Sequence, residues 1–185
     1  MTDEFSPAEQ RLIAAWERHL ATEFAERDAT ATLATMAAEP SVNHVPVMTG
    51  GSGRDELFTF YSEHFLVNMP ADTETTPVSR TVGQGRVIDE MIFRFTHDIE
   101  MDWMLPGIPP TGRRVEIPFV VVVEVRGDKV ACERIYWDQA SVLVQLGVLD
   151  PSRLPITGVE STRKVLDPTR PSNELMRRAG TSPDR

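Results

Sequence analysis

Residues 86–104 decide the fold class: Arg86-Val87-Ile88-Asp89-Glu90-Met91-Ile92-Phe93-Arg94-Phe95-Thr96-His97-Asp98-Ile99-Glu100-Met101-Asp102-Trp103-Met104. Every second residue gives Val87, Asp89, Met91, Phe93, Phe95, His97, Ile99, Met101 and Trp103, whereas the intervening set carries Glu90, Arg94, Asp98, Glu100 and Asp102. Side chains alternate between the faces of a strand, so the run reads as one long β-strand with an apolar face inward and a solvated face outward. Asp89 and His97 are then polar groups on the apolar face. Burial of such groups is unfavourable unless they are hydrogen-bonded, so each belongs to a satisfied core network or looks into a cavity.

Strand patterns continue around this run, at 78–82, 113–126 and 129–137, and Arg126-Gly127-Asp128-Lys129 makes a hairpin of the last two. Before them the pattern is helical. Leu12, Ile13, Trp16, Leu20 and Phe24 mark an amphipathic helix over 7–26, with Ser6, Pro7 and Glu9 supplying a capping-box start. A second short helix is expected through Met36 and Ala38, ended by Glu39-Pro40, and then a strand over 41–49. Gly50 to Gly53 reads as a turn, 55–69 as a third helix, and 138–149 as a closing helix. Helices followed by a run of strands give an α+β fold, with the helices gathered on one face of a curved antiparallel sheet. Residues 1–150 form this domain. Residues 151–185, with four prolines spread over 151–171 and little periodicity, read as an extended C-terminal arm.

The 185 residues carry a net charge of −9, which argues against a broad nucleic-acid groove. Residues 151–185 hold seven Lys/Arg against four Asp/Glu, so a tail of +3 follows a body of −12. One cysteine, Cys132, excludes an internal disulfide, and four scattered histidines give no zinc-ribbon spacing. The acidic start, Met1 to Phe5, has no secretory n-region, and no run of about 18 apolar residues occurs. The expected location is the cytoplasm, with neither membrane nor nucleic acid as partner.

The terminal strand contributes further candidates. Arg134, Tyr136 and Asp138 share one parity, and Glu133, Ile135 and Trp137 the other; neither set is purely apolar, so the strand borders a pocket. Asp138 fits two roles, a helix N-cap or a carboxylate beside aromatic surface with its pKa raised for proton transfer. The ladder Asp98, Glu100 and Asp102 reads as a solvated outer face, Gly83-Gln84-Gly85 as a turn, His19 as a solvated residue, and Cys132 as a buried small hydrophobe.

Two segments resemble a known family. Thr96-His97 followed by Gly107-Ile108-Pro109-Pro110-Thr111-Gly112-Arg113, together with Asp138 seven residues before Gln145-Leu146-Gly147, is similar to the SnoaL-like polyketide cyclases of the nuclear-transport-factor-two-like superfamily. The resemblance implies a cone-shaped curved antiparallel sheet, an α+β barrel closed by the N-terminal helices, with a deep apolar pocket inside the cone, homodimers through the outer sheet, and no metal or organic cofactor. It also implies an acid/base role for Asp138, with His97 in the pocket. The insertion Asp102-Trp103-Met104-Leu105-Pro106 departs from the family pattern and reshapes the pocket rim.

These readings give a cofactor-independent cyclase or isomerase that acts on an apolar carbonyl compound. Asp138 is the expected base and His97 or Tyr136 the donor to the enolate oxygen, with His44, His64, Asp89, Trp103, Arg134 and Trp137 around the substrate. The alternatives are an epoxide or lactone hydrolase in which Asp138 activates water, and a non-catalytic small-molecule binding domain in which Asp138 only caps a helix.

Overall fold

The computed structural model describes residues 5–180; the acidic start at 1–4 and the end of the tail at 181–185 lie outside the described residues. Helix α1 (Pro7–Leu20) begins as its sequence dictates, with the Ser6 hydroxyl accepting from the Glu9 amide and the Glu9 carboxylate accepting from the Ser6 amide. It runs directly into a π-helical turn, Ala21–Glu26, that stops where Arg27 adopts a left-handed φ of 53°. Asp28 then caps α2 (Ala29–Ala34) through the amides of Thr30 and Ala31.

The chain continues through β1 (Met36–His44), β2 (Thr49–Ser52) and α3 (Arg54–Thr59), which is extended by a second π-helical turn, Phe60–Phe65. Four strands follow: β3 (Glu74–Gly83), β4 (Arg86–Thr96), β5 (Arg114–Arg126) and β6 (Lys129–Tyr136). Helix α4 (Gln139–Gln145) closes the domain, and the tail carries α5 (Glu160–Leu166) and α6 (Glu174–Gly180). Among the described residues no helix is long and apolar enough to cross a membrane.

The strands form one sheet in the order β2-β1-β6-β5-β4-β3. The α+β class is as expected, but the sheet is mixed: β1 runs parallel to β6, and the other pairs are antiparallel. It is also not closed, since β2 and β3 are its two edges. Register shifts at Pro77/Ser79 in β3 and at Glu124/Val125 in β5 bend it. Helix α1 lies across β3 to β6, and the core fills the space between. In β5 the alternation is complete: Val115, Ile117, Phe119, Val121, Val123 and Val125 are all buried, and the residues between them are half-exposed.

Three local expectations change. The second helix ends at Ala34, and residues 36–40 already belong to β1. Gly50 and Gly51 sit in β2; Gly50 has φ +130°, and a Cβ there would lie 2.1 Å from the Val42 carbonyl oxygen, so only glycine lets the two strands approach. The long strand of 86–104 stops at Thr96. Beyond it the amides of Thr111 and Gly112 turn back to the His97 carbonyl, and the amides of Met104 and Leu105 to that of Met101. Met101, Trp103, Met104 and Leu105 are all buried, which a two-residue period cannot provide.

The tail is not extended throughout. Thr162 of α5 is buried and donates to the Glu116 carbonyl, and Ser141 of α4 donates to the Gly158 carbonyl. Glu116 belongs to the stretch of β5 that β6 does not reach, because the β5–β6 pairing begins at Val120↔Tyr136. The Gln145 side-chain amide covers it, accepting from the Glu116 amide and donating to its carbonyl.

Candidate active site

A cavity of about 50 Å³ lies between the sheet and the helices. Its walls are mostly apolar, with Trp16, Phe60, Phe65, Phe93, Trp103 and Phe119 among them, and five ionisable or hydroxylated residues line it: Glu23, His44, Tyr61, Thr75 and Glu133. Both π-helical turns supply walls. Glu23 and Phe24 come from the first, and Phe60, Tyr61 and Phe65 from the second. A π turn widens the helix and rotates the side chains after it, a distortion frequent at functional sites.

Beside the cavity, α1, the π-helical turn that follows it and β6 bring together His19, Glu23 and Glu133. His19 is fully buried, and its Nδ1 lies 2.6 Å from Thr35 Oγ1. Because the Thr35 hydroxyl itself donates to the Thr32 carbonyl, it accepts from His19, which fixes the proton on Nδ1. Nε2 points to Glu23 Oε1 at 3.1 Å, and Glu133 Oε1 lies 3.0 Å from the same nitrogen, off the N–H direction. Burial opposes a charge on His19, but Glu133 and Glu23 outweigh it and hold the imidazolium pKa up to about 10. Glu133 is pushed above the usual carboxylate range by burial and by Glu23, with His19 pulling the other way.

Two further groups face the cavity without a partner. The Tyr61 side chain is buried, and its hydroxyl lies near Glu23 without meeting any group at good hydrogen-bonding geometry among the described residues; burial, with Glu23 and Glu133 adding to it, keeps the phenol neutral. His44 is 4% exposed, and burial depresses its pKa to about 4, opposed by Glu23 and by a hydrogen bond to the Thr49 backbone. Its Nδ1 has no hydrogen-bond partner among the described residues. The two residues flank the same pair of rings: His44 lies 5.5 Å from Phe60 and 5.7 Å from Phe65, and Tyr61 lies 5.6 and 6.0 Å from them.

The candidates read from the sequence divide accordingly. His44 and Trp103 line the cavity, and Trp137 packs behind it against His44 and Phe119. Asp89 is a satisfied core carboxylate, accepting from Trp16 Nε1 and from Arg80 Nε and Nη2, and it lines a groove outside the cavity. Asp138 is exposed and caps α4 through the Ser141 amide, so the expectation of a base inside the cone is overturned. Tyr136 and Arg134 lie on the other face of β6; Tyr136 is exposed, and Arg134 pairs with Glu124. His64 is nearly half-exposed and pairs with Asp102.

His97 is buried beyond the end of β4, with Nδ1 3.3 Å from Thr111 Oγ1, and does not line the cavity. The residues missed are His19, Glu23, Tyr61 and Glu133. The signal was present: Leu12, Trp16, His19 and Glu23 continue one stripe at helical spacing, and Glu133 shares parity with Ile135 and Trp137.

A family model, the SnoaL-like domain, matches residues 16–133. The chain belongs to this family. Among solved structures, a candidate SnoaL-like polyketide cyclase from Jannaschia sp. CCS1 is 18% identical, with a TM-score of 0.64 over 80% of this chain and 99% of that one. TsrD from Streptomyces laurentii is 18% identical, with a TM-score of 0.58 over 79% of this chain and 100% of that one. SalBIII, described as an epoxide hydrolase/cyclase-like enzyme of pyran ring formation in salinomycin, is 16% identical, with a TM-score of 0.53 over 71% of this chain and 93% of that one. No curated protein matches the sequence. At such identities the likeness to these SnoaL-like and related structures establishes the fold, while the reaction has to be argued from the cavity.

Proposed function

We propose that this SnoaL-like protein is an enzyme that enolises a small apolar carbonyl compound inside the cavity, leading to isomerisation or intramolecular ring closure. One observation carries the reading: the His44 Nδ1 and the Tyr61 hydroxyl are both buried, both without a partner, and both on the wall of one apolar cavity. Native proteins leave few buried polar atoms unpaired, so a pair converging on one space marks where a ligand supplies the missing bonds.

The chemistry follows from their protonation. Tyr61 stays a neutral phenol and donates to the substrate carbonyl oxygen, where negative charge grows as the enolate forms. His44 is neutral at physiological pH, and in the tautomer that carries its proton on Nε2 the unpartnered Nδ1 presents a lone pair to take the proton next to the carbonyl. Glu23 favours the imidazolium that results. That proton returns to a different carbon in an isomerisation; in a closure the enolate carbon attacks a second carbonyl of the same molecule, and the alkoxide so formed takes the proton back from His44. The surrounding aromatic rings exclude water, which strengthens both interactions.

The test is exchange of protons next to the carbonyl for solvent deuterium across a panel of cyclic and 1,3-dicarbonyl ketones, followed by NMR. Tyr61→Phe and His44→Gln are each expected to slow exchange by about 10²–10⁴-fold. Asp138→Asn, outside the cavity, should leave the rate within a factor of about two of the unmodified protein. Unchanged exchange in both cavity variants, or loss in Asp138→Asn alone, would overturn the assignment.

A further inference from the structure

The reaction proposed above uses Glu23 only through its charge, and leaves the buried cluster it forms with His19 and Glu133 otherwise without a role. We infer that these three side chains form a binding site for a divalent transition-metal ion, with Zn²⁺ as the natural fit. The three ligand atoms, His19 Nε2 and one carboxylate oxygen from each glutamate, lie within 4.8 Å of one another. In a tetrahedral zinc site with bonds of about 2.0–2.1 Å, neighbouring ligand atoms are about 3.3 Å apart. The separations here are 3.1 and 3.0 Å from Nε2 to Glu23 and Glu133. All three residues are more than nine-tenths buried.

Independent features point the same way. Glu133 Oε1 has no hydrogen-bond partner among the described residues although it sits beside Nε2, so its lone pairs remain available to an ion. His19 has the second-layer partner that metal-bound histidines use: its Nδ1 is held by Thr35, whose hydroxyl is held in turn by the Thr32 carbonyl, and this leaves Nε2 as the ligating nitrogen. Charge balance agrees as well. Two carboxylates facing one imidazolium in an apolar interior leave an excess negative charge, whereas two carboxylates and a neutral imidazole balance a dication, with the Nε2 proton released to solvent.

Three protein ligands leave one position free, the arrangement of catalytic rather than structural zinc. Glu23 and Glu133 line the cavity, so that position opens toward it, beside Tyr61. An ion held there would polarise a carbonyl oxygen bound to Tyr61. This catalytic meaning rests on the proposed enolisation, but the binding of the ion does not, and no cofactor was expected from the resemblance.

The test uses the full chain, stripped with a chelator and dialysed against Co²⁺ or Zn²⁺. One equivalent of Co²⁺ should be retained per chain, with the intense visible absorption of a tetrahedral site, and Zn²⁺ should displace it. Glu133→Gln and Glu23→Gln, which keep the side-chain shape, should each weaken retention at least tenfold, while His64→Ala at the exposed His64–Asp102 pair leaves it unchanged. Retention of less than a tenth of an equivalent, or equal retention in both glutamine variants, would overturn the site, as would loss of the ion in His64→Ala. His44→Gln separates the two proposals: it should bind the ion normally while losing proton exchange. Should one glutamine variant fail to fold, the other and the cobalt spectrum of the unmodified protein still decide the question.

Discussion

At the scale of the residue, His44 carries the sharpest consequence. Its pKa lies at about 4 in the folded chain against an ordinary 6.5, so between these values the unfolded chain binds a proton that the folded chain refuses. The stability linked to His44 is complete above pH 6.5 and falls as the pH drops toward 4, by about 3 kcal/mol over that window. His19, raised to about 10, stays charged in both states across the window and adds little slope. Urea unfolding at pH 6.5 and 4.5 should show this loss in the unmodified protein and a clearly smaller one in His44→Leu; equal slopes would mean that burial of His44 is not the cause.

Individual residues also show what a linear pattern conceals. His44 and Trp103 line the cavity, whereas Asp138 does not, because the free amides at the start of α4 claim its carboxylate. His19 looked solvated because its sequence neighbours Glu17 and Arg18 are exposed, although its helical neighbours Trp16 and Glu23 are buried. Spacing, rather than adjacency, held the information.

At the scale of the element, the π-helical turn Ala21–Glu26 separates the cavity from the outside. Leu20, Phe24, Thr75 and Met91 line the cavity on one side and a groove of about 380 Å³ on the other. A space of about 50 Å³ holds a few waters, at about 10–15 Å³ of comparable volume each, so a substrate enters only when these side chains part. Phe24→Ala is expected to raise the proton-exchange rate of bulky cyclic ketones relative to small ones. Since Phe24 is only half-buried, its loss should cost less than the ~3–5 kcal/mol of a fully buried phenylalanine. An unchanged size preference would place the entrance elsewhere. Neither π turn was legible in the sequence, because the apolar spacing of 12–24 suits an α-helix; the wider turns are seen only once Glu23 and Tyr61 are placed against the sheet.

At the scale of the whole molecule, the tail belongs to the folded body more closely than its prolines suggest. Thr162 and Gly158 bond to β5 and α4 where the sheet edge is left bare by β6. A chain ending at Asp150 should therefore lose about 1–3 kcal/mol, the contribution of two buried hydrogen bonds and their desolvated partners, measured as a lower urea midpoint. An unchanged midpoint would show that α5 contributes no stability to the domain.

The sequence by itself determined the class and the family resemblance, because alternation in β5 and helical spacing in α1 are local properties that burial on one face enforces. It also determined the cap of α1, whose partners lie three residues apart. Only the tertiary structure decided the sheet's mixed order and the site, because β1 meets β6 across some ninety residues, and with it His19 and Glu23 meet Glu133. A polar side chain becomes a reactive group when a distant segment removes its water and leaves it facing a cavity, and that depends on which segments meet.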